Sequence, residues 1–185
     1  MTDTIFSWET GVRPANSRPH YLDEAAETIR DDAIAQARQK LGAAQCRTGL
    51  DSLLRRPDFL GYFQHGLASG VVNVLAASDQ AVHAVYTYDP SINPDNEAGA
   101  CLPQDAAVHL IVVVAAPAAA VEALIAALDR ALTASLKDLP SPRFAQRESL
   151  LVVSLVSLED VRCGANCAGR WVGLFAAPLE IWRRE

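Results

Sequence analysis

Apolar residues along this chain first fall into a regular rhythm at Leu22. Leu22, Ala26, Ile29, Ala33, Ala37 and Leu41 recur at steps of three and four, the spacing that lines one face of a helix. Asp23, Glu24 and Glu27 crowd the first turns, where the positive end of the helix dipole favours them, and Gly42 supplies a stop. A short helix is expected over 51–56, ahead of Pro57. A longer one over 58–77 carries the stripe Leu60, Phe63, Leu67, Val71 and Leu75. It also holds Gly61, Gly66 and Gly70, residues that either weaken a helix or let another element approach closely.

The period then changes. Residues 82–88 (VHAVYTY) alternate as a strand does. Residues 89–105 are rich in proline and acidic or amide side chains and read as a long loop. Residues 107–115 (AVHLIVVVA) form a continuous, largely β-branched run, the mark of a strand buried on both faces. Pro117 suits the opening turn of a helix that reaches 139 with the stripe Val121, Leu124, Leu128, Leu132 and Leu136. A polar loop at 140–148 leads to a third strand, 150–156 (LLVVSLV). Ser157 and Asp160 are placed to cap a short helix. A loop over 162–173 and a closing strand over 176–182 complete the pattern. The expected fold class is α/β (α+β), a mixed sheet of three to four strands packed with helices and preceded by an N-terminal helical extension. An arm and helices occupy 1–57 and the core 58–185, in one continuous domain. A βαβ unit and an antiparallel α+β variant both fit this order.

Half of the 185 residues are hydrophobic, enough for a sizeable core. The net charge of −6 argues against nucleic acid held on a basic face. Basic residues pair only briefly, at Arg55 with Arg56 and at Arg183 with Arg184. No apolar run is long enough to span a membrane, since the longest, 108–120, meets Glu122. Residues 1–9 hold acidic and no basic residues, unlike an export signal, so a cytoplasmic location with reduced thiols at Cys46, Cys101, Cys163 and Cys167 is expected.

Candidate chemistry is sparse. There is no glycine-rich phosphate loop. The stretch from Gly66 to Gly70 places Ser69 one position late for a nucleophile elbow and lies inside a helical stripe. Cys163 and Cys167 are weak candidates for zinc or a redox pair. None of His20, His65, His83 and His109 stands at finger spacing to them, so no bound metal is expected. His83 and His109 lie on expected strands, where a hydrogen-bonded core role is the plainer reading. Asp89, Asp95, Glu97 and Asp105 supply the oxygen ligands magnesium prefers, on a segment where acidic residues are ordinarily just solvated.

The stretch 59–182 resembles the small nucleotidyltransferase domain. The likeness runs through LAASD at 75–79, VHAVYTY at 82–88, the apolar strand 108–114, the helix to 139 and the strand 150–156. The resemblance implies that strand 82–88 should be followed by Gly-Ser, where this chain has Asp89-Pro90. It also implies carboxylates that hold two metal ions on the next two strands. The corresponding positions here are Ala107, His109 and Ser154, which leaves the site without its ligands. Three readings follow. The first is a non-catalytic, cofactor-free binding or assembly module, its N-terminal helix docking on a protein partner or a second copy. Its pocket would lie beside Asp89, His109 and Ser154. The second is a divergent magnesium-dependent nucleotidyltransferase using Asp89, Asp105 and His109. The third is a thiol or zinc protein using Cys163 and Cys167.

Overall fold

Six helices and a four-stranded mixed sheet make up the computed structural model, which describes residues 20–42, 48–78, 81–87, 107–115, 119–163 and 179–184. In chain order the elements are α1 (His20–Leu41), α2 (Leu50–Leu54), α3 (Pro57–Ser78), β1 (Val82–Thr87), β2 (Val108–Val114), α4 (Ala119–Leu136), α5 (Pro142–Ala145), β3 (Leu151–Ser157), α6 (Leu158–Cys163) and β4 (Leu179–Arg183). No helix among the described residues is long and apolar enough to cross a membrane.

The strand order is β3-β2-β1-β4. β1 runs antiparallel to both β2 and β4, while β2 and β3 are parallel and joined through α4. Both connection types open to the sequence are therefore present, a βαβ unit beside an antiparallel pair. The β-branched run of β2 has the central place expected of it. Every residue of β2 except His109 is buried, because strands cover both edges and side chains pack on both faces.

The pleat divides the sheet into two surfaces. Val108, Leu110, Val112 and Val114 of β2 join Leu151, Val153 and Leu155 of β3 in the main core with α1, α3 and α4. A register shift between Val82 and Ala84 lets both Val82 and Val85 face that same core. On the other surface Ile111 and Val156 pack with Tyr86 and with Val161 of α6.

The N-terminal helix belongs to this core. Ala26, Ala33 and Ala37 of α1 are fully buried. Two glycines of α3 make the close approach possible. A Cβ at Gly66 would stand 2.8 Å from the Cα of Ala33, and one at Gly70 would stand 2.6 Å from Cγ2 of Ile29. On its other flank α1 meets α4, where Arg30 Nη1 donates to the Ser135 carbonyl at 3.1 Å.

Two local differences from the sequence reading have plain causes. The polar 140–148 stretch contains α5, whose Phe144 is buried edge-on to Phe63 with ring centroids 5.8 Å apart. Phe144 anchors a segment in which Ser141 is also buried and most of the other side chains are exposed. In α4 Ile125 is buried where the stripe predicted Leu124, which is half-buried, because the helix packs chiefly against α1. The short cap is present as expected: Ser157 Oγ accepts the N–H of Asp160 at 3.0 Å.

A groove between helix α4 and strand β3

β3 is an edge strand among the described residues, and α4 lies along its core-facing side. Between them runs a groove of about 680 Å3, lined by Glu122, Ile125, Ala126 and Asp129 of α4 and by Leu151, Val153, Ser154 and Leu155 of β3. Ile125 of α4 and Leu151, Val153 and Leu155 of β3 bring aliphatic side chains to the walls, because the parallel crossover sets α4 beside β3. Two carboxylates punctuate them. Glu122 and Asp129 are seven residues apart, two helical turns, so they share a face roughly 10 Å apart along the axis.

Asp129 also ties the unit together. Its Oδ1 accepts the N–H groups of Leu150 and Leu151, each at 2.8 Å, and the Thr133 hydroxyl approaches it at 3.5 Å. A charged acceptor thus serves the first peptide groups of β3, at the point where the chain returns from α4 to the sheet. Among the described residues no lysine, arginine or histidine lines the groove.

Of the candidate positions read from the sequence, Ser154 borders the groove and the others lie elsewhere. Ile111 is opposite Ser154 and His109 opposite Val152, so His109 and Ser154 are diagonal neighbours on the surface away from α1, α3 and α4. His109 is half-buried, and its carbonyl accepts the Thr87 hydroxyl at 3.0 Å. Ala107 is buried, and its carbonyl accepts from Gln64 Nε2 at 3.0 Å. Neither β2 nor β3 carries a carboxylate. Asp89, Asp105 and Cys167 lie outside the described residues. Cys163 is the last residue of α6, and its side chain lies outside them too. Among the described residues no three His, Cys, Asp or Glu side chains stand together in a way that would hold a metal ion.

Glu122 and Asp129 were not singled out by the sequence pattern. Their seven-residue spacing on an otherwise apolar helix was the available signal, but nothing local said which strand edge that face would border. No family model matches the chain, and neither the curated proteins nor the solved structures yield a match.

Proposed function

We propose that this chain is a non-catalytic binding or assembly module of nucleotidyltransferase-like build, and that it holds its protein partner in the groove between α4 and β3. The observation that carries the reading is the groove itself, a trough of aliphatic side chains interrupted by two carboxylates and a serine, beside a strand that is at the edge among the described residues. Such an edge offers backbone pairing to another chain, and the concavity beside it leaves room for the side chains of the paired segment.

The absence of chemistry from the resemblance's own site supports the non-catalytic part. Two divalent cations need several anionic oxygens around them, and Ala107, His109 and Ser154 provide none. Titration of the protein with magnesium and a nucleoside triphosphate should therefore give no calorimetric binding signal and no release of pyrophosphate. Saturable binding that disappears in Asp89→Ala or Asp105→Ala would overturn this reading and establish the magnesium-dependent enzyme instead.

A further inference from the structure

The hydrogen bonding of β3 indicates which of its peptide groups face the groove. The Leu150 carbonyl accepts the N–H of Val108 at 2.8 Å, so by the alternation of a strand Val152, Ser154 and Val156 direct their peptide groups towards β2. Leu151, Val153 and Leu155 direct theirs outward. Asp129 takes up the Leu151 N–H, Ser149 Oγ donates to the Leu151 carbonyl at 3.3 Å, and Leu155 has interactions as well. Val153 stands between them on the groove wall, its N–H and C=O directed away from β2. Beside it Val152, 42 % exposed, presents an apolar side chain on the opposite surface of the same edge.

The charge of the groove selects what would lie there. Among the described residues Glu122 and Asp129 are its only ionisable side chains, and both are acidic. A second copy of this chain paired β3 to β3 is a poor occupant. Its own β3, LVVSLVS, has no basic residue, and pairing two such edges would bring like-charged walls together. We infer that the groove accepts a short extended segment of a different protein, which pairs with β3 at Val153, lays alternate apolar side chains against Ile125 and Val153, and points a lysine or arginine at Glu122 and Asp129. This rests on the binding-module reading and specifies its ligand. Strand addition draws affinity from main-chain hydrogen bonds and specificity from pockets for alternate side chains, and this site offers both.

The test uses the full chain and two fluorescent peptides of about eight residues, the length that spans β3, one alternating valine with lysine and one alternating valine with glutamate. Fluorescence anisotropy should show saturable binding of the valine–lysine peptide alone. Val153→Pro removes an outward N–H and leaves the ladder to β2 intact, and Ala126→Trp fills the groove from an exposed helix position. Each should weaken binding about tenfold or more, as loss of an anchoring strand contact does. Far-UV circular dichroism checks folding first, and Ala126→Trp carries the test should Val153→Pro fail to fold. Equal binding of both peptides, or binding undiminished in both variants, would overturn the inference. Weakening by Ala126→Trp but not by a folded Val153→Pro would overturn strand pairing while leaving the groove as a binding site. Binding of neither peptide would overturn the assigned ligand, and the nucleotide titration would still decide the module reading separately.

Discussion

Asp129 shows how a single side chain can join the fold to the candidate site. One carboxylate oxygen receives two backbone N–H groups that lie at the start of an edge strand, where no neighbouring carbonyl reaches them. Removing the acceptor strands two partly buried donors, and a buried unsatisfied group costs about 1–3 kcal/mol. Asp129→Ala should therefore lower the urea midpoint by a matching amount. Asp129→Asn keeps a carbonyl oxygen in place and should lose less, the difference being the charge-assisted part of the bonds. Equal midpoints for wild type and Asp129→Ala would show that water replaces the carboxylate at no cost. Nothing local in the sequence marks this residue as a cap, because its partners are 21 and 22 positions away.

At the scale of elements, α3 carries three glycines whose meanings separate only in the assembled structure. A Cβ at Gly61 meets nothing within 4 Å, whereas one at Gly66 runs into the backbone of α1. Gly61→Ala should raise the melting temperature, since alanine in a helix interior is favoured over glycine by up to about 1 kcal/mol. Gly66→Ala gains the same propensity but forces α1 away from α3, and overpacking of this kind costs about 1–3 kcal/mol. Thermal melts of the two variants should move in opposite directions. Shifts of the same sign would mean that α1 yields freely at the crossing. The helical stripe of α3 was plain from spacing, and so was the choice glycine offers between weakening and close packing. Which glycine does which depends on where α1 crosses.

For the whole molecule, α1 is as much part of the core as the sheet is. Ile29, 6 % exposed, sits over Gly70, and Ala33 over Gly66. Ile29→Asp would bury an unpaired charge there and should cost on the order of 3 kcal/mol or more. Chemical denaturation should show one shifted transition. An unchanged midpoint would mean that α1 lies on the domain without contributing to it. The elements themselves were legible in the sequence: the three-and-four spacing of α1, α3 and α4, the alternation of β1, and the unbroken apolar run of β2 all follow from helix and strand periods. That positions 107, 109 and 154 carry alanine, histidine and serine was equally legible, because residue identity needs no fold. Local periodicity cannot reveal which elements become neighbours. That β3 lies at an edge, that α4 borders it, and that Glu122 and Asp129 flank the resulting trough were decided by strand order and by the crossover, which arise from contacts between residues far apart in the chain. An amphipathic helix specifies which of its faces is buried; only packing against the sheet determines what lies beside the polar residues at the border of that face.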